Sequence, residues 1–342
     1  MYRTSIVFWP ALWIIDALGC LLFFWKKFAR MPEPKRILLI RLEHIGDVLL
    51  TTPALRALRK RYPQAQIDVL VRDFAAPVLQ GNKNVDNVIV WNAPWLSKLG
   101  THEQNTQAIV RKLRKDNYTI AIDCHGDPRN IWLANKVARY TVGFGCRGFG
   151  FLLNKAVAYR GHAIERNLAL VKAIGAVAAG REMELRASTG KLPAGTWVCI
   201  APGSGRKEKT WLNHRWAAVA DKLIERHGVK IVFTGSAKES ALAQDIISQM
   251  QHADKTLNLC GKTTLSRLAG VLRRCLLTLC PDSGTMHIAR AVGMPLIGLF
   301  TAENAREWGY HEQKFQSISG KGAEAITVEQ VLEKAAAILA KD

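Results

Sequence analysis

The chain has 342 residues, which at about 150 per domain predicts two domains; 49% hydrophobic and 22% charged residues provide a core for each and exclude a disordered chain. Forty-eight Lys and Arg against 28 Asp and Glu leave a net charge of +20, so the working surface should meet an anion: nucleic acid, phospholipid or a phosphorylated substrate. The seven cysteines, at 20, 124, 146, 199, 260, 275 and 280, show neither a C-x-x-C pair nor zinc-finger spacing, and read as reduced thiols rather than a disulfide framework.

At the amino terminus, Ser5 to Trp25 form 21 residues whose only charge is Asp16. As a helix they would cover about 30 Å, the thickness of a bilayer's hydrocarbon core. Lys26, Lys27, Arg30, Lys35 and Arg36 follow and only Arg3 precedes, which by the positive-inside bias places the rest of the chain in the cytoplasm. Trp9, Trp13 and Trp25 suit interfacial anchoring. Asp16 and Pro10 count against a span, since a mid-bilayer Asp costs about 2.5 to 3.5 kcal/mol, whereas a helix lying in the interface tolerates both. A single-pass span and an in-plane helix therefore both stand. A cleaved signal peptide lacks an A-x-A site and a basic start.

From Arg36 onward, apolar runs bounded by turn residues alternate with helical patterns. The first series predicts strand Ile37 to Arg41, helix Val48 to Arg61, strands Gln66 to Val71 and Asn87 to Val90, helix Thr106 to Lys115 and strand Thr119 to Ile122. The second predicts strands Trp197 to Ala201, Val229 to Thr234, Thr256 to Leu259, Leu276 to Cys280 and Leu296 to Leu299. Its helices are Trp216 to His227, Ser240 to Gln251, Thr264 to Arg273 and Gly284 to Val292. Such alternation argues parallel sheets covered by helices. The Gly- and Pro-bearing stretch Ala179 to Gly195 reads as a linker. The expected organisation is therefore a membrane-associated leader at 1–35, a first α/β domain at 36–180, a linker at 181–195 and a second α/β domain with a terminal helix at 196–342.

In open parallel sheets, ligands gather where strands end and helices begin. Four such loops carry suggestive residues. In Arg41-Leu42-Glu43-His44-Ile45-Gly46-Asp47, Asp47 stands at a helix start, where it reads either as a general base or as a helix cap. Ala201 to Trp211 holds Gly203, Ser204, Gly205 and Lys209, the composition of a phosphate cradle or of a solvated basic loop, without the G-x-x-x-x-G-K-[ST] pattern. Asp282-Ser283-Gly284-Thr285-Met286-His287 closes a strand and opens a helix, placing N–H groups and hydroxyls for a diphosphate; His287, one turn in, reads as a ligand or a core residue. After another strand, Glu239 is placed for a ribose or simply as an acidic first turn. Gly143-Phe144-Gly145-Cys146-Arg147-Gly148 matches G-x-G-x-x-G, yet no clean helix follows it, which argues against a dinucleotide site. No D-x-D pair is present, and nothing in the pattern requires a metal.

Taken in order, these loops resemble glycosyltransferase family 9, the ADP-heptose:lipopolysaccharide heptosyltransferases. The likeness runs from Arg36 to about Trp308. It rests on Ile37-Leu38-Leu39-Ile40-Arg41 through Gly46-Asp47-Val48-Leu49-Leu50-Thr51-Thr52-Pro53-Ala54-Leu55, on the Gly203 to Trp211 loop, and on Asp282-Ser283-Gly284 with His287. The resemblance implies the GT-B architecture, two Rossmann-like domains facing across a cleft, here with an N-terminal apolar helix. It implies Asp47 as catalytic base, and Lys209 in catalysis and, with Ser204 and Gly205, on the diphosphate. Asp282, Ser283, Gly284, Thr285 and His287 would form the donor motif, with Glu239 on the ribose. In Asp123-Cys124-His125-Gly126-Asp127-Pro128-Arg129, Arg129 is the implied acceptor-phosphate contact, joined by Arg41 and Thr51. Gly205 stands where some members carry a hydroxyl, and the apolar leader is not general in the family. Both departures bear on the acceptor more than on the reaction.

The expected activity is an inverting transfer of heptose from ADP-heptose to a lipopolysaccharide inner-core or lipid-linked acceptor at the cytoplasmic face of the inner membrane. No cofactor is expected besides the nucleotide-sugar substrate. Between residues 26 and 72, eleven basic residues against four acidic ones give +7, suited to an anionic membrane surface. Two other readings stand beside this one: a family 9 enzyme with another sugar or acceptor, and a non-catalytic anion-binding module at the membrane. Nucleic acid is not expected as a partner, because neither a recognised motif nor a run of stacking aromatics accompanies the charge.

Overall fold

Each apolar run expected as a strand lies inside a sheet in the computed structural model, which describes residues 9–96, 105–301 and 305–340. The chain divides into two units, Met1–Glu182 and Met183–Asp342. In the first, α1 (Trp9–Leu22) precedes β1 (Arg36–Ile40), α2 (Ile45–Leu49), α3 (Thr52–Arg61), β2 (Gln66–Val71), β3 (Asn87–Val90) and α4 (Thr106–Lys115). There follow β4 (Tyr118–Asp123), α5 (Pro128–Val137), β5 (Ala138–Phe144), β6 (Lys155–Val157) and α6 (Ala163–Lys172).

The second unit contains β7 (Trp197–Ile200), α7 (Asn213–His227), β8 (Lys230–Phe233), α8 (Ser240–Ser248), β9 (Thr256–Asn258) and α9 (Leu265–Leu272). It continues through β10 (Cys275–Pro281), α10 (Gly284–Ala291), β11 (Leu296–Phe300), α11 (Ala305–Trp308), β12 (Phe315–Ser319) and α12 (Val328–Leu339).

The six strands of the first sheet pair in parallel in the order β3-β2-β1-β4-β5-β6. The second sheet, read from its other edge, runs β9-β8-β7-β10-β11-β12, also parallel, which is the same winding. Strand β7, and β1 past its first residue Arg36, are apolar and buried because helices cover both faces, the pattern of a buried parallel sheet. Strand order reverses between β1 and β4 in one unit and between β7 and β10 in the other. Loops leaving those strands diverge to opposite faces and open a crevice. The expected α/β architecture of two Rossmann-like domains is thus present.

Three expectations change. The helix expected over Val48 to Arg61 is two helices, since Pro53 has no N–H for the carbonyl of Leu49 and Thr52 Oγ1 donates to that carbonyl instead, at 2.7 Å. Helix α5, started by Pro128 behind the Asp127 cap, strands β5, β6 and β12, and helix α6 are additions; β12 reads Phe-Gln-Ser-Ile-Ser, too polar to stand out.

The third change concerns the leader. Among the described residues its helix covers 14 residues, about 21 Å, and then gives way to a 3-10 turn at Phe24–Phe28. Among the described residues no helix is long and apolar enough to cross a membrane. Arg3 and residues 5–8 of the expected span lie outside the described residues, as do the side chains of Trp9, Pro10 and Trp13.

Candidate active site

In the first unit the loops after β1 and β4 bring together a buried set of charges. Arg41, the first residue past β1, is 5% exposed and spends its guanidinium in four directions. Nε donates to Thr51 Oγ1 at 3.0 Å, NH2 to Asn167 Oδ1, and NH1 to Glu43 Oε2 at 3.4 Å. NH1 also stands 3.9 Å from Asp47 Oδ1. Asn167, on α6, is itself fixed by donating Nδ2 to the Leu50 carbonyl at 2.8 Å. Four side chains, three from the stretch 43–51 and one from α6, place one arginine.

Asp47 occupies the third position of α2, and the residue that precedes the helix is His44. Asp47 Oδ2 accepts the His44 N–H at 3.0 Å, locking the turn, while Oδ1 faces Arg41. One oxygen thus takes part in capping the helix, from its third position and not as the N-cap, and the other faces a cation. Thr51 is buried, and its hydroxyl, receiving Arg41 Nε, donates to the Asp47 carbonyl at 2.8 Å. Both Arg41 and Thr51, expected on the acceptor side, here support the loop that carries Asp47.

Behind Asp47 lie residues that the sequence reading did not single out. Glu43 Oε1 is 3.2 Å from His125 Nδ1, and His125 Nε2 is 2.8 Å from Arg147 NH1. Asp123, at the end of β4, accepts the His125 and Gly126 N–H groups at 3.3 and 2.6 Å. Burial, reinforced by the Asp47 carboxylate and opposed by Arg41, pushes Glu43 up to about 7. Burial likewise pushes Asp123 up to about 7, with Glu43 adding to it and His125 opposing. His125 is held below its usual range, mainly by burial. The signal available in the sequence was position: Glu43 and His125 each lie within three residues of a strand end, at the point where strand order reverses.

Arg129 is elsewhere. It forks onto its own helix cap, with Nε 2.9 Å from Asp127 Oδ1 and NH2 2.6 Å from Oδ2, and its guanidinium lies 5.6 Å from the Trp95 ring centroid. It does not join the Arg41 cluster. The G-x-G-x-x-G stretch ends β5 and enters a 3-10 turn, Gly145–Arg147, rather than a helix.

In the second unit the loops after β7, β8 and β10, three neighbouring strands, gather the residues expected to hold the donor. Lys209 Nζ is paired with the Asp282 carboxylate, and Ser204 Oγ donates to the Asp282 carbonyl at 3.4 Å. Thr301 Oγ1, donating to the Glu208 carbonyl at 2.6 Å, holds the Lys209 turn. Glu239 Oε2 accepts the Ser236 N–H at 2.5 Å, the same three-residue back-reach as Asp47 to His44. Glu239 also lies hard against Gly203: a Cβ there would fall 1.9 Å from Glu239 Oε1. That approach is what glycine at 203 permits. Around Gly205, by contrast, a Cβ would meet nothing within 4 Å.

Ser283 immediately precedes α10, so Gly284 and Thr285 present first-turn N–H groups beside Asp282 and Lys209, a place that attracts oxyanions. His287, one turn further, is 4% exposed, and its Nδ1 is 2.7 Å from the Tyr310 hydroxyl. That nitrogen faces the core, in line with the core reading of this histidine.

Residues 106–336 match the profile of glycosyltransferase family 9 (heptosyltransferase). The lipopolysaccharide core heptosyltransferase OpsX of Haemophilus influenzae is 25% identical over 287 residues, covering 79% of this chain and 80% of that relative. Lipopolysaccharide heptosyltransferase 3 of Escherichia coli K12 is 26% identical over 288 residues, 77% of this chain and 81% of the other. Among solved structures, the family 9 glycosyl transferase of Veillonella parvula superposes with a TM-score of 0.77 at 26% identity, covering 92% of this chain and 99% of its own. The heptosyltransferase WaaC of E. coli with ADP-2-deoxy-2-fluoro heptose, at 20% identity and a TM-score of 0.71 over 87% of this chain and 98% of that one, shares the fold. With the family profile matched over most of its length, this chain belongs to glycosyltransferase family 9, the heptosyltransferases, and is a glycosyltransferase of GT-B architecture.

Proposed function

We propose that the chain transfers heptose from ADP-heptose to a hydroxyl of the lipopolysaccharide inner core, with inversion, and that Asp47 is the general base. The observation that carries this reading is the setting of Asp47: one oxygen immobilised by a backbone N–H and the other beside a buried guanidinium, on the loop where strand order reverses. In the transfer, the acceptor O–H gives its proton to Asp47 as its oxygen bonds to the anomeric carbon. The bond from that carbon to the diphosphate oxygen breaks, and its electron pair leaves with ADP.

Negative charge gathers on the departing diphosphate, where Lys209 and the N–H groups of Gly284 and Thr285 would neutralise it, with Ser204 and Ser283 beside them. Glu239, against the Gly203 backbone, would accept from the ribose hydroxyls. Arg41, with Thr51, orients Asp47, and Glu43 shares that guanidinium and so tunes the charge on the base. Arg129, exposed and forked on Asp127, is the acceptor-phosphate contact of this reading. Site assembly needs no metal in this account, and the work is placed at the cytoplasmic face of the inner membrane.

The test is to supply the purified chain with ADP-heptose and truncated lipopolysaccharide acceptors and to identify the product by mass. A product one heptose heavier supports the reading. ADP release only with another sugar donor would replace the heptose assignment, and no turnover with any donor would defeat the catalytic one.

A further inference from the structure

The leader helix has two opposed stripes. Asp16, Gly19, Phe23 and Lys26, spaced three to four residues apart, face the body of the first unit, as i, i+3 and i+7 positions on one side of a helix do. Asp16 Oδ1 accepts the Phe149 N–H at 2.8 Å. Gly19 lies so close to the Phe151 ring that a Cβ would fall 2.4 Å from it. Phe23 stacks on Phe151 with centroids 5.6 Å apart, and the Lys26 carbonyl accepts Asn154 Nδ2 at 2.9 Å. Lys27 Nζ completes the attachment by donating to the carbonyls of Gly150 and Leu153, at 3.0 and 2.9 Å. Phe149, at φ 56°, is one of two non-glycine residues among those described with a left-handed backbone; the turn it makes presents its N–H to Asp16.

The other stripe is bare. Ile14, Leu18, Leu21, Leu22, Trp25 and Phe28 are exposed, Leu21 by 73% and Phe28 by 80%. Monomeric soluble surfaces rarely carry so continuous an apolar band. Exposed Arg30 follows it two residues on, Lys35 lies further along paired with Glu33 at 3.3 Å, and Lys26 stands 5.7 Å from the Trp25 ring. An apolar band bordered by cations and an interfacial Trp fits the acyl–headgroup boundary of an anionic bilayer.

We propose that residues 14–30 form an in-plane anchor for an anionic lipid bilayer, latched to the first unit through Asp16 and Gly19. The carboxylate that would penalise a span is thereby taken up by the Phe149 amide. The latch grips the segment 145–154, which also carries Arg147, the partner of His125. Attachment to the membrane and the charge cluster around Asp47 thus share one piece of backbone. This inference rests on the proposed membrane location and not on the sugar chemistry.

The experiment is flotation of the full-length chain with vesicles of phosphatidylethanolamine and phosphatidylglycerol, beside vesicles of phosphatidylcholine alone. The intact chain should float with the anionic vesicles, less so in high salt, and be released by alkaline carbonate. Leu21→Glu and Phe28→Glu should each weaken flotation by about tenfold or more, roughly the loss of one buried apolar side chain, with thermal unfolding unchanged. Transfer to a detergent-dispersed acceptor should stay intact in both variants, which separates a failed anchor from a failed enzyme. Retention after carbonate would overturn the in-plane geometry in favour of a span. Equal flotation of both variants, or a dimer that dissolves in Leu21→Glu while the intact chain ignores vesicles, would overturn the anchor itself.

Discussion

Glu43 and Asp47 share one guanidinium nitrogen: Arg41 NH1 lies 3.4 Å from a Glu43 oxygen and 3.9 Å from an Asp47 oxygen. The two carboxylates thus meet one buried cation from the same side. When Glu43 is neutral, Arg41 serves Asp47 alone; when Glu43 ionises, the guanidinium is shared between two charges.

With Glu43 pushed up to about 7, transfer activity should rise through that pH, and Glu43→Gln should lose this limb while retaining activity. Rate–pH profiles of the two proteins check this; an unchanged limb in the variant would assign it to another group.

The same burial fixes the sign of a stability effect. Glu43 and Asp123 are raised from 4.5 and 3.8 to about 7, so over that window the folded chain holds protons that the unfolded chain has released. Stability from these groups is therefore present at low pH and falls as pH rises towards 7. Denaturant unfolding at several pH values should show Glu43→Gln gaining on the wild type across the window.

Asp47→Asn keeps an oxygen for the His44 N–H and removes the proposed base. Turnover should fall by about 10²- to 10⁴-fold, with ADP affinity and melting temperature close to wild type. Isothermal titration with ADP beside a transfer assay separates the two effects.

Lys209→Ala should act on binding and rate alike, raising the donor KM and lowering kcat by about tenfold or more each, because in the proposed role its charge serves bound and departing diphosphate. It also leaves Asp282, whose side chain is only 10% exposed, without its partner. Steady-state kinetics with varied donor is the measurement.

Gly203→Ala puts a methyl where Glu239 Oε1 now lies. Either the Glu239 side chain or the Gly203 backbone must yield. Donor affinity should drop at least about tenfold, with about 1 to 3 kcal/mol lost in stability. Gly205→Ser, entering open space, should leave both nearly unchanged.

Much of this was legible from residue pattern, because buried parallel strands are apolar on both faces and helices begin at marked caps. Gln66–Val71, Asn87–Val90 and Thr106–Lys115 have the expected bounds. Strand β12, with Gln316 and two serines, lies at the edge of its sheet and leaves no apolar run to find. At the candidate site, Asp47 stands beside Gly46 and Asp282 two residues before Gly284, while Lys209 follows Gly205 by four, all in loops that lead from a strand into a helix. Glu43 and His125 did not stand out, since their partnership joins residues on separate loops, and only the reversal of strand order beside β1 brings the β4 loop to it. Helix α1 was legible as apolar, and its end at Leu22 was not. Asp16 reads as a penalty until the Phe149 amide that satisfies it is in view.

Thr51 and Asn167 grip Arg41 from 10 and 126 positions further along the chain. A polypeptide emerging from the ribosome exposes Arg41 early, yet its guanidinium lacks one of its four contacts until helix α6, which bears Asn167, has emerged and folded back. Order of synthesis therefore sets order of assembly: the Arg41 cluster closes last, after the strands that flank it have been made.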